Sequence, residues 1–191
     1  GGVFVREILR VLDADKRVET VNFIASDGAL RVFAEELKIS GRNDLVKQLL
    51  GSASRKITLQ SNSDIGANVA SGSYPTDAMV VLPCSMGTLA RIANGMAINL
   101  IERAADVCLK QQRPLILCVR ETPLNRIHLR NMQFASDAGA VIFPVIPAFY
   151  NKPVDSNEMA RQFVFRVLDF IGLEQSGTYR WKSENRKPEK K

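Results

Sequence analysis

A chain of 191 residues, 46% hydrophobic and 24% charged, is long enough for one domain with a real core, and its composition excludes a disordered or fibrous class. The formal charge of +6 gathers toward the C-terminus, where Arg180, Lys182, Arg186, Lys187, Lys190 and Lys191 outnumber Glu184 and Glu189. With no aromatic interleaving and no recognition motif, that stretch reads as a solvated basic tail and not as a nucleic-acid surface. No apolar run approaches the roughly 18 residues of a membrane span. Residues 1–12 carry charge within their apolar segment, with no small-residue cleavage site after them, unlike a secretory signal. Cys84, Cys108 and Cys118 are odd in number and lack metal-ligand spacing, which predicts a reducing, cytoplasmic setting. The single histidine, His128, leaves no basis for a His-built metal site or triad.

In chain order, the apolar spacing predicts a helix over 3–12, a strand over 18–25, helices over 29–37 and 44–50, and a strand over 56–60. Residues 70–75, ASGSYP, read as a small-residue turn. A strand over 78–82 follows, then helices over 87–94 and 99–111, a strand over 114–119, a helix over 125–137 and a strand over 140–143. The last helix covers 155–171, with Met159, Phe163, Val164, Val167 and Ile171 as its buried stripe. Near-continuous apolar strands alternating with helices predict an α/β, Rossmann-like three-layer fold: a mainly parallel sheet covered by helices on both faces. The expected organisation is a single domain over 1–173 followed by a C-terminal basic tail over 174–191. A nucleotide-binding fold of this kind opens on a strand and a Gly-rich turn, whereas this sequence begins at Gly1 and Gly2 and enters a helix at once.

In such sheets, ligands sit beyond the C-terminal ends of the strands. Three predicted strands end in polar clusters: Ser26 with Asp27; Ser85, Met86, Gly87 and Thr88; and Arg120 with Glu121. At residues 85–88 exposed backbone N–H groups, two hydroxyls and a glycine suit an anion, and the same residues suit a helix N-cap. An arginine fork such as Arg120 binds phosphate or an electron-rich ring edge, and the adjacent Glu121 supplies a proton donor or acceptor. Arg103, Asp106 and Lys110 share one helix face. Beside them, Ala104 and Ala105 suit a close-packed contact, including one between copies of the chain. Pro144, Pro147 and Pro153 stiffen a loop that carries Tyr150, and Arg166 lies at the edge of the last helix's stripe.

The strings ASGSYPTDAMVVLPCSMGTLARIANG (70–95), NLIERAADVCLK (99–110), RETPLNRIHLRNM (120–132), GAVIFPVIPAFY (139–150) and RVLDFIGL (166–173) closely resemble the UbiX-type flavin prenyltransferases. The resemblance runs from about Ser26 to Trp181. It implies a flavin-binding domain that moves a dimethylallyl group from dimethylallyl monophosphate to N5 of reduced FMN, with ring closure at C6. The prenylated FMN then serves a UbiD-type decarboxylase. It further implies a homo-oligomer, a homododecamer, and no metal, in keeping with the lack of a DDxxD motif. Carried over by position, Ser26, Ser85, Met86, Gly87, Thr88 and Arg120 correspond to FMN-binding residues. Arg103, Lys110, Glu121, Tyr150 and Arg166 correspond to the prenyl-phosphate pocket. Glu36, next to Glu35, matches an acidic residue near that pocket, and Trp181 matches a late aromatic. Glu36, Glu121, Lys110 and Arg103 are the catalytic candidates. The family's Gly-Ala-Ser-Gly-type loop has no counterpart beyond Gly1 and Gly2. Flavin-dependent cysteine decarboxylases of the same fold depend on a histidine after the first helical segment, which this sequence lacks. A non-catalytic FMN carrier is the remaining alternative.

Overall fold

In the computed structural model, which describes residues 1–180, the chain runs α1 (Gly2–Ala14), β1 (Val21–Ala25), α2 (Asp27–Leu37), α3 (Leu45–Leu50), β2 (Ile57–Ser61), a 3-10 turn (Asn68–Ala70), β3 (Met79–Cys84), α4 (Met86–Ala93), α5 (Leu100–Lys110), β4 (Leu115–Val119), α6 (Arg126–Asp137), β5 (Val141–Ile142) and α7 (Ser156–Phe170). None of these helices is long and apolar enough to cross a membrane.

β4 explains the layering. Its sequence LILCV is apolar throughout and all five residues are buried, as a strand covered on both faces must be. Leu115, Leu117 and Val119 point to one side, where α4, α5 and α6 pack; Ile116 and Cys118 point to the other, against Phe163 and Val167 of α7. α1, α2 and α3 join α7 on that second side, through Val5, Ile8, Leu9, Phe33, Leu45 and Leu49. Each fully buried Leu or Phe contributes roughly 1.5–3 kcal/mol relative to exposure.

All pairings are parallel, but the strands form two sheets, β1-β2 and β3-β4-β5. The parallel strands between helical layers are those expected, here divided into two hydrogen-bonded groups. Among the described residues no strand joins β1 to β3. Val80 and Leu82 of β3 pack instead with the residues of α1 and α7. Within β3, the register to β4 shifts between Val81 and Cys84, where Pro83 has no N–H to give the ladder. The shift sets Cys84 opposite Val119, and so places Ser85 and Arg120 at neighbouring strand ends. Beyond β5 the chain continues the ladder through Phe143 N–H to Leu117 (2.9 Å) and Val145 N–H to Val119 (2.8 Å), with Pro144 between.

Two other expectations change. The strand expected from residue 18 starts at Val21, because Val18 N–H closes a turn on Asp15. Residues 174–180, assigned to a tail, are tied to the domain. Gln175 donates to Asp15 (3.1 Å), and Gln162 bonds to both Gly177 and Tyr179.

Asp15 anchors this end of the molecule. The side chain of Arg17 donates to both of its oxygens, the Arg17 N–H and Gln175 add further bonds, and together these hold the carboxyl well below the usual carboxylate range. A lowered folded-state value stabilises the fold fully above the unfolded carboxylate's range, about pH 4, and the contribution drains away as pH falls through the folded value. Asp15→Asn is therefore expected to lower the urea midpoint at pH 6 and to flatten its decline below pH 4. Parallel acid limbs in the two proteins would refute this.

Candidate active site

Three strand ends and the start of α1 meet on one edge of the fold. β1 ends at Ala25, and Ser26 caps α2 by accepting from Ala29 N–H at 3.1 Å. Arg42, which the sequence gave no reason to single out, braces this turn: its guanidinium donates to the Ala25 carbonyl (3.1 Å) and to Asp27 (2.7 Å). β3 ends at Cys84, and Ser85 caps α4 by accepting from Thr88 N–H at 3.2 Å, with the two hydroxyls 3.0 Å apart. The helix cap thus uses the same residues that the sequence offers as an anion cradle. The first-turn N–H groups of α4 point outward beside two hydroxyls, and a side chain at Gly87 would lie 3.5 Å from Arg91, in the space the glycine leaves open. Met86 differs from its neighbours. Its side chain is buried in the core with Leu89 and Ile92, so only its backbone faces the cradle.

Arg120 and Glu121 follow β4 directly and are exposed. Arg120 N–H reaches the Cys84 carbonyl at 3.3 Å, which fixes it beside Ser85, and Glu121 accepts from Thr122 N–H at 3.0 Å. Glu36 of α2 comes to the same edge. Both of its oxygens lie 2.6 Å from the Gly1 amino group, and Gly2 N–H donates at 2.7 Å. A Cβ on Gly1 would stand 2.9 Å from Pro83 Cγ, so α1 starts against the β3 end itself.

A second feature lies along α7: an open cavity of about 460 Å³ lined by Phe143, Phe170, Tyr179 and Arg166 among others. The Arg166 guanidinium lies 5.9 Å over the Phe143 ring, and Tyr150 meets Tyr179 in a tilted contact with ring centres 5.4 Å apart. Arg166 and Tyr150, paired in the sequence reading, therefore approach one region. Phe143 and Tyr179 went unremarked: the first closes a strand, and the second sits in what read as tail.

Arg103 and Lys110 are placed elsewhere. Both belong to α5, which packs on the face of the sheet opposite α7. Arg103 donates to the Ala70 carbonyl (3.1 Å) and pairs with Asp106 (3.3 Å), as the helix spacing anticipated. Lys110 ends α5 just before β4 begins, at the opposite end of the strands from Arg120. Ala104 and Ala105 are buried within the chain, so they are not the contact between copies that their size suggested. Trp181 lies outside the described residues.

The buried thiols take no part: burial pushes Cys84 and Cys118 up to about 12 and also raises Cys108. His128 completes a capping box with Asn125 at the start of α6, a structural role. Among the described residues no group of three or more His, Cys, Asp or Glu is placed to share a metal ion.

The flavoprotein family profile matches residues 3–171. Flavin prenyltransferase UbiX of Methanocaldococcus jannaschii is 42% identical over 181 residues, covering 95% of this chain and 92% of that protein. The crystal structure of a dodecameric FMN-dependent UbiX-like decarboxylase from Escherichia coli O157:H7 superposes with a TM-score of 0.85 at 39% identity, covering 95% of this chain and 94% of the other. The crystal structure of AnUbiX (PadA1) in complex with FMN and dimethylallyl pyrophosphate gives a TM-score of 0.83 at 40% identity, with 95% and 91% covered. With its strand-end cradle, its Arg120 and Glu121 pair and these relatives over nearly its full length, the chain belongs to the flavoprotein family and, within it, to the UbiX flavin prenyltransferases.

Proposed function

We propose that this protein transfers a dimethylallyl group from dimethylallyl monophosphate to reduced FMN, and that the prenylated FMN passes to a UbiD-type decarboxylase. The observation that carries the reading is the meeting of the Ser85 and Thr88 cradle with Arg120 and Glu121 at adjacent strand ends. It is supported by a relative, 40% identical, whose crystal structure holds both FMN and dimethylallyl pyrophosphate.

Reduced FMN, when bound, supplies the N5 lone pair. Ser26, Ser85 and Thr88 present hydroxyls, and the first turn of α4 presents N–H groups, to hold its polar atoms in place. Met86 and Gly87 contribute through their backbone, and Arg120 offers its fork to the ring edge. Transfer breaks the allylic C–O bond, with the electron pair going to the phosphate, and forms a C–N bond at N5, whose proton must leave. Arg166 and Tyr150 stabilise charge on the departing phosphate. Glu121, fixed by Thr122 N–H, receives or returns the proton. Glu36, beside Arg120, is the second carboxylate of that edge.

Arg103 and Lys110 stand too far round the fold to serve their own chain's site; α5 alone spans about 16 Å. In this reading they complete the phosphate pocket of a neighbouring copy. The dodecameric relative supports such an assembly, as do the exposed apolar residues Ile127, Leu129 and Phe134 of α6 and Ile146, Phe149 and Val154 of the loop before α7. Three free, buried cysteines fit a reducing cytoplasm.

The Escherichia coli relative is an FMN-dependent UbiX-like decarboxylase, and a flavin-dependent decarboxylase of the same fold is the second reading. The use of His128 as a helix cap counts against it. Incubation with reduced FMN and dimethylallyl monophosphate is expected to yield a flavin heavier by one C5 unit. Unchanged flavin mass with FMN demonstrably bound would reject the transferase and leave the carrier or decarboxylase.

A further inference from the structure

We infer that Tyr179 is a positioning and specificity residue of the prenyl-donor pocket, held in that role by Gln162. The inference rests on the transferase reading and adds to it a wall that the chain builds after its last helix. The cavity along α7 is lined by two guanidinium groups, Arg166 and Arg180, by the Asp169 carboxylate that pairs with Arg180 at 3.2 Å, and by the rings of Phe143, Phe170 and Tyr179. That is the complement of an allylic phosphate: an anion joined to a short apolar tail whose developing positive charge is favoured by facing aromatic rings.

Tyr179 is not an incidental ring at the rim. Gln162 uses both ends of its side chain on alternate residues of the returning segment, donating to the Gly177 carbonyl at 3.0 Å and accepting from Tyr179 N–H at 2.9 Å. Asp169 holds the same segment through Thr178 (3.3 Å) and Arg180 (3.2 Å). These bonds fix the backbone on either side of the ring and set it 5.4 Å from Tyr150, at an interplanar angle of 55°. Tyr179 thereby walls the cavity and orients the residue proposed to reach the departing phosphate.

The test uses the full chain and measures KM separately for dimethylallyl monophosphate and for FMN, with thermal melting as a check on folding. Tyr179→Ala is expected to raise the donor KM about tenfold, the scale of one lost aromatic contact, with FMN KM unchanged. Tyr179→Phe, which keeps the ring, should stay near wild type. Gln162→Ala should raise the donor KM in the same direction by a smaller factor, and it carries the test alone if Tyr179→Ala fails to fold. Equal shifts in both KM values, or an unchanged donor KM in Gln162→Ala and Tyr179→Ala, would overturn the assignment. If the wild type makes no prenylated flavin, the transferase reading fails. Calorimetric titration of the FMN-loaded variants with dimethylallyl monophosphate then decides Tyr179 separately: weaker binding supports the wall, and equal binding refutes it.

Discussion

Glu121→Gln lowers the single-turnover rate of prenyl transfer by about 100-fold or more, the usual scale of a lost general acid–base, while FMN affinity stays close to wild type. Glutamine keeps the shape of the side chain and an oxygen for Thr122 N–H, which Glu121 accepts at 3.0 Å, so the strand end should keep its geometry. What it loses is a group able to take a proton from the flavin or give one to the phosphate. A 100-fold loss corresponds to about 2.7 kcal/mol of barrier, more than a surface carboxylate contributes by its charge alone. Arg120→Gln should give the converse pattern, weaker FMN binding with a smaller change in the transfer step, because Arg120 stands beside the Ser85 cradle. Wild-type turnover in Glu121→Gln would remove Glu121 from the mechanism. A parallel fall in FMN affinity would make it a flavin ligand instead.

That edge of the molecule could be read from the sequence because its signals are local. Ser26 and Ser85 end apolar runs and start helical ones, a pattern that fixes both the cap and the strand end in one dimension. Phe163, Val164 and Val167 mark the buried side of α7 by spacing alone, and all three are buried. What was not legible depends on long-range packing. Arg42 braces Ala25 from seventeen residues away through a loop with no periodicity. The cradle spacing cannot tell that Met86 turns inward, since burial of that side chain is decided by Leu89, Ile92 and the strands beneath them. Ala104 and Ala105 are small for the reason inferred, close approach, but the partners are the residues of their own chain. Arg103 and Lys110, expected in the same pocket as Arg166, lie across the sheet from it, because sequence order carries no record of which face a crossover helix covers. The segment after α7 reads as tail on its charge, and only the bonds from Gln162, Asp169 and Asp15 show that it is built into the fold.

Glu102→Ala is expected to cost about 3 kcal/mol of stability, the largest loss from any single polar side chain considered. Glu102 is 1% exposed, and its carboxylate accepts from Arg91 Nε, Asn99 Nδ2 (2.8 Å) and Ile98 N–H (3.1 Å). It therefore ties the far end of α4 to the loop and first turn of α5. Truncation leaves a backbone N–H and a side-chain amide without their acceptor and an arginine without its counter-charge. Breaking a buried pair in this way costs about 3–5 kcal/mol. The lower end applies because the Arg91 side chain is 36% exposed and can be rehydrated. Removing both charges is different in kind. Arg91→Met combined with Glu102→Leu leaves no stranded ion, and should unfold at a higher urea concentration than Glu102→Ala alone. Protein concentration is held fixed in these measurements, so that any self-association weighs equally on each variant. A Glu102→Ala midpoint equal to wild type would mean that the pair's attraction barely offsets its desolvation. A double variant less stable than Glu102→Ala would mean instead that the arginine stem and the carboxylate fill the α4–α5 junction in a way that apolar side chains cannot. Either result bears on the active site, because the helix held at this end by Glu102 begins, two turns earlier, with Ser85.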